Sequence, residues 1–179
     1  MALKLDGAVP NQLDFETAIA LTQQLLDTLE QGSGSEAQIE TIVAELVQTE
    51  TGARGFFVVY LTDDRGFADS PSPAILSGLR QAADTVASLL VKNLVMSTAM
   101  EIYHRSHNNA PAAEGSVQVQ QRSQRLIRLL GWPELPTHIQ AMQQTLATGT
   151  GTYQAFLDRQ GYDRAQYRAI QEALQLLAD

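Results

Sequence analysis

The densest apolar run in the chain lies within residues 84–109. There Val86, Leu89, Leu90, Val91, Leu94, Val95, Met96, Met100 and Tyr103 recur at mixed spacings of three and four. On an α-helix this pattern covers well over half the circumference, so the helix must be packed on several sides. The polar positions Asn93, Ser97, Glu101 and Arg105 each follow the last by four residues and form one narrow stripe, which faces water or lines a site. The pattern predicts a central helix over 84–106, with shorter amphipathic helices around it.

Before it, Phe15, Ala18, Ile19, Leu25, Leu26 and Leu29 define a first helix that starts at Asn11 or Asp14 and ends at Glu30 before Gly32. Residues 32–35 (GSGS) are a flexible turn. Ser35 and Gln38 match a capping box, and Ile39, Ile42, Val43, Leu46 and Val47 follow the helical template, predicting an antiparallel hairpin of the first two helices. The Gly52-Ala53-Arg54-Gly55 segment then precedes residues 55–62, whose aromatic and β-branched side chains have strand propensity. A single strand leaves its backbone groups unpaired, and no second such run exists. Two expectations follow: a buried helix overriding propensity, or a lone strand paired across a dimer axis. Residues 63–73 read as a connector, with Ser72-Pro73 starting a short helix over 74–83.

After the central helix, residues 107–115 hold turn and small residues and read as a loop or lid. Helices are expected over 116–130, ending at Gly131-Trp132-Pro133, and from a capping box of Thr137 and Gln140 to the TGTGT break at 148–152. A terminal helical pair over 153–160 and 163–178 hinges at Gly161, its second member opened by Asp163 and Gln166. The fold class predicted is an all-α, single-domain bundle of about seven helices.

A formal charge of −8 argues against gripping a phosphate backbone, so nucleic acid is not an expected partner. Lys4 and Lys92 are the only lysines. Absence of cysteine removes disulfides, thiolate metal sites and thiol nucleophiles. The central run is broken by Lys92 and Asn93, short of a membrane span, and no signal segment is read at the start; the expected location is cytoplasmic.

Candidate chemistry is sparse. Glu101, His104 and His107 fall at i, i+3 and i+6, where a carboxylate and two imidazoles could converge on a metal, with Asp63 or Asp64 as a fourth ligand. The same residues suit a simpler role: Glu101 and Arg105 form an i, i+4 pair, and cationic side chains complement a helix C-terminus. Arg122, Arg125 and Arg128, with Trp132, could bind a partner's acidic patch, although such a stripe is also an ordinary solvated face. The tyrosines 153, 162 and 167 could serve recognition or the core. The 148–152 turn lacks the lysine and spacing of a Walker loop.

The run 55–64 (GFFVVYLTDD), continuing through Ser70-Pro71-Ser72-Pro73 to residues 90–100 (LVKNLVMSTAM), resembles an uncharacterised family of cyanobacterial proteins. The resemblance implies a photosynthetic source and brings no assigned activity and no functional residue. The functional expectation is a non-enzymatic protein-interaction or assembly module, with a homodimer as one form, no cofactor, no nucleic acid and no membrane span. The alternatives are a metal-binding protein or metal-dependent enzyme using Glu101, His104 and His107, and a small-molecule sensor with an apolar pocket between helices.

Overall fold

A computed structural model describes residues 13–178. Among these the fold is all-α, with nine helices and no strand: α1 Phe15–Glu30, α2 Glu36–Val47, α3 Glu50–Tyr60, α4 Pro73–Arg80, α5 Ala83–Ser106, α6 Ala110–Leu130, α7 Glu134–Thr148, α8 Gln154–Gln160 and α9 Arg164–Ala178. Packing groups the chain into two compact units, Met1–Leu89 and Leu90–Asp179. The division falls inside α5.

In the first unit, helix starts are set by side-chain caps. Asp14 Oδ1 accepts from the Thr17 amide at 2.7 Å, which holds the Asp14 carboxyl below its usual pKa. The alternative start at Asn11 lies outside the described residues. Ser35 and Gln38 make the expected reciprocal box, and Ser72 caps α4 ahead of Pro73. The packing partners differ from a simple hairpin. α1 lies mainly on α3 and α2 on α4, while α1 touches α2 little. Glycine decides this: a Cβ on Gly55 would stand 2.5 Å from Ala18 Cβ, and one on Gly78 would stand 2.7 Å from Val43 Cβ and 2.8 Å from Glu40 O. The bare backbones of α3 and α4 thus approach α1 and α2 more closely than a side chain permits.

The lone-strand alternative for residues 55–62 is overturned, because α3 carries the segment as buried helix. Its cap is Thr49, whose hydroxyl accepts from the Gly52 amide at 3.1 Å, six residues before the aromatic run. From there Ala53, Phe56, Phe57 and Tyr60 fall at i, i+3, i+4 and i+7, and all are buried. Phe56 stacks on Tyr60 with centroids 5.0 Å apart, and Tyr60 Oη donates to Phe67 O. Burial of three aromatic rings outweighs a propensity difference of about 1 kcal/mol or less per residue. The dimer axis invoked to pair a strand loses its basis with it.

In the second unit α6 begins at Ala110, so residues 107–115 are a tight turn and a first helical turn rather than a loop or lid. Asn108 takes φ +55°, Asn109 Oδ1 accepts from the Ala112 amide, and Pro111 sits in the first turn, where its missing donor costs nothing. α7 likewise starts earlier than expected, at Glu134. The Thr137 hydroxyl donates back to Pro133 O instead of capping. Gly131, Gly149 and Gly161 end α6, α7 and α8 in the left-handed conformation. Asp163 and Gln166 close the expected box on α9, and α9 packs on α7.

Side-chain hydrogen bonds cross between helices here. Gln120 Nε2 donates to Thr98 Oγ1 at 3.0 Å, and Gln166 Nε2 to Ala99 O at 2.9 Å. The polar stripe of α5 is therefore not uniformly wet. Ser97 is 6% exposed, its hydroxyl turned back on Asn93 O, while the apolar Met96 and Tyr103 are 39% and 46% exposed. By length and composition α5 could cross a membrane, and 56% of its most apolar window is buried inside the protein, as in a core helix.

Candidate functional site

The end of α5 holds the histidine pair. Arg105 Nε donates to Glu101 Oε1 at 2.9 Å. His107 Nδ1 lies 2.8 Å from Tyr103 O, a pure acceptor, so Nδ1 carries a proton. The His107 ring stacks on Tyr103 at 4.1 Å, and His104 meets the same tyrosine edge-on at 5.5 Å. Glu101 and His107 are thus engaged with neighbours on their own chain segment. Among the described residues no group of three His, Asp or Glu side chains is gathered as a metal would require.

Asp63 is committed elsewhere. Arg65 donates to both its carboxylate oxygens, at 2.9 and 2.8 Å, and also to Asp27 at 2.6 Å and Glu30 at 3.3 Å. These hydrogen bonds raise the Arg65 pKa further above its already high value. α1 has no basic residue in its last turn, and Arg65 supplies from the 61–72 connector the positive charge that end favours.

The three arginines of α6 part company. Arg122 is only 2% exposed and lies on the inner face with Ser123, Leu126, Ile127 and Leu130; Trp132 is 4% exposed. Neither faces outward. Arg125, Arg128 and Leu129 are exposed, Leu129 at 53%. Triple spacing suggested one stripe, yet i, i+3, i+6 drifts about 60° round a helix at each step and about 120° in all, enough to carry its first member into the core. Tyr153 is also core, at 2% exposed, and Tyr162 and Tyr167 are half-buried.

Two features have no counterpart in the sequence reading. Tyr153 Oη lies 2.6 Å from His138 Nδ1, with Lys92 Nζ 6.0 Å from the tyrosine ring centre. Residues 15 and 61 positions apart carry no periodic signal that would join them. On the first unit a shallow groove of about 390 Å³ runs along α2 beside the end of α4. It is lined by Ala37, Thr41 and Ala44, at i, i+4 and i+7, together with Glu40, Glu45, Gln48 and Gln81.

Charge divides with the units. Residues 1–89 hold 13 acidic and 4 basic side chains, a formal −9; residues 90–179 hold 7 and 8, a formal +1. The overall acidity belongs to one unit.

The fold and these surfaces define an all-α helical protein with charged and apolar helix faces turned outward. The chain belongs to the family described as uncharacterised conserved protein UCP020893, whose model matches residues 14–177. No curated protein and no solved structure matches it.

Proposed function

We propose that the protein is a non-enzymatic interaction module that binds another protein through the outer face of α6. The observation that carries this reading is the arrangement of Arg125, Arg128 and Leu129 on the last turns of α6, with Leu129 53% exposed. An exposed leucine beside guanidinium groups combines apolar contact with planar hydrogen-bond donors, the composition enriched in protein interfaces. The stripe of Met96, Met100 and Tyr103 on α5 adds a second contact area of the adaptable kind methionine provides.

A photo-crosslinking amino acid at position 129, activated in cells, tests the reading. A discrete adduct is expected, absent from Arg125→Glu/Arg128→Glu protein. A smear no different from that given by the same probe at the exposed Leu176 would overturn it.

A further inference from the structure

The partner of the α6 face can be identified by the surface that complements it, an inference that rests on the reading above. The ridge of α6 running through Arg125 and Leu129, spaced i, i+4, carries one apolar side chain and, with Arg128, two positive charges. Its complement is a groove wide enough for a helix ridge, floored by small side chains and walled by negative charge. The α2 groove fits this: Ala37, Thr41 and Ala44 line it with small side chains, and beside them stand the carboxylates of Glu45 and of Glu40, which also accepts from Ser77 Oγ at 2.7 Å. It lies in the unit of formal charge −9, and the ridge in the unit of +1, so two copies meeting ridge to groove bring opposite fields together.

We propose that a second copy of this chain occupies the α2 groove, seating the Arg125–Leu129 ridge along Ala37, Thr41 and Ala44 with its guanidinium groups, Arg128 included, towards the Glu40 and Glu45 carboxylates. The contact is heterologous: ridge and groove are different surfaces, so each copy retains one of each. Such contacts either close, the smallest closed form being a reciprocal pair, or propagate as an open chain of subunits.

Sedimentation of purified full-length protein tests this. At low salt the wild-type mass is expected to rise with concentration to about twice the monomer mass or beyond, and to fall towards the monomer in high salt as the charges are screened. Thr41→Arg/Glu45→Lys closes the groove on an exposed helix face; Arg125→Glu/Arg128→Glu reverses the ridge. Each variant alone should stay monomeric with unchanged helical circular dichroism. Their equimolar mixture should form a complex of about twice the monomer mass and grow no further, because one supplies the intact ridge and the other the intact groove. A mixture that stays monomeric while wild type associates would overturn the ridge-to-groove pairing. Wild type that is monomeric at every concentration would overturn self-association; an adduct from position 129 to a different protein would then leave the interaction reading standing. No adduct of any kind would remove both.

Discussion

The two units differ in what dominates the packing of their helices, although in the first Ser77 Oγ also donates across to Glu40 Oε1 at 2.7 Å. In the first, Gly55 and Gly78 remove side chains so that α3 and α4 lie backbone-close against α1 and α2. In the second, polar side chains reach across the gaps: Gln120 to Thr98, Gln166 to Ala99, Tyr153 to His138. Glycine packing is dry, local and intolerant of added volume. Cross-helix hydrogen bonds tolerate volume but fail when a donor or acceptor is lost. Substitutions should therefore separate the units by type as well as by position.

The largest effects are expected from adding one methyl group in the first unit. Gly55→Ala and Gly78→Ala should each destabilise by roughly 1–3 kcal/mol, since the new carbon meets Ala18 or Val43 at 2.5 or 2.7 Å. Gly115 sits inside α6 with nothing within 4 Å of an added Cβ, so Gly115→Ala should stabilise by about 0.5–1 kcal/mol through helix propensity. Denaturant melts of the three variants would decide it. Equal gains at all three positions would mean that the glycines of α3 and α4 are not packing glycines.

A smaller loss, of opposite chemistry, should follow from Gln166 in the second unit. One side chain performs two tasks there: Oε1 accepts from the Asp163 amide at 2.8 Å and Nε2 donates to Ala99 O at 2.9 Å. Gln166→Ala removes cap and cross-helix bond together and should cost about 1–2 kcal/mol. Gln166→Glu keeps an acceptor for the cap but sets a carboxylate facing a carbonyl oxygen. Protonation restores a donor, so its penalty should shrink as pH falls through the carboxyl range. Thermal melts of both variants against pH would show this, and equal penalties at every pH would mean that the bond to Ala99 contributes nothing.

These contrasts also mark what was legible in the sequence. Helix periodicity placed α1, α2 and α5 to within a residue or so of their ends, because each carries a long apolar repeat, which in α1 and α2 a side-chain cap opens. Local chemistry was equally readable at Ser35, Ser72 and Asp163. Boundaries failed where the signal was read one turn too late. Thr49 caps α3 across two glycines that look like a break, and Asn109 caps α6 across Pro111, which resembles a loop. What periodicity cannot supply is partnership between elements. Gly55 and Gly78 are buried for the sake of neighbours 37 and 35 positions away, Ala18 and Val43. The candidate site divides the same way: the exposed pair Arg125 and Arg128 was readable as a face, but the burial of Arg122 and the groove on α2 depend on how helices pack.

The smallest expected effect comes from Tyr162, which sharpens the comparison because it breaks the rule of its own unit. Its hydroxyl is buried without a hydrogen-bond partner, 6.3 Å separating its ring centre from that of Tyr167 in an edge-to-face pair. Burial raises its pKa well above the ordinary tyrosine value, with Tyr167 adding to the shift. A buried hydroxyl with nothing to bond costs rather than contributes, so Tyr162→Phe should leave neutral-pH stability unchanged or raise it by up to about 1 kcal/mol, keeping the ring contact. The pH dependence has a definite sign. The folded state holds this proton more tightly than the unfolded state, so any stability linked to it is complete below the ordinary phenol pKa of about 10 and is lost as pH rises beyond it. Wild type should therefore lose stability above about pH 10 faster than Tyr162→Phe does. Chemical denaturation of both proteins at neutral and alkaline pH measures the difference. A variant less stable than wild type by more than about 1 kcal/mol at neutral pH would show that the hydroxyl is bonded after all, and that the second unit leaves no polar group of α9's approach unsatisfied.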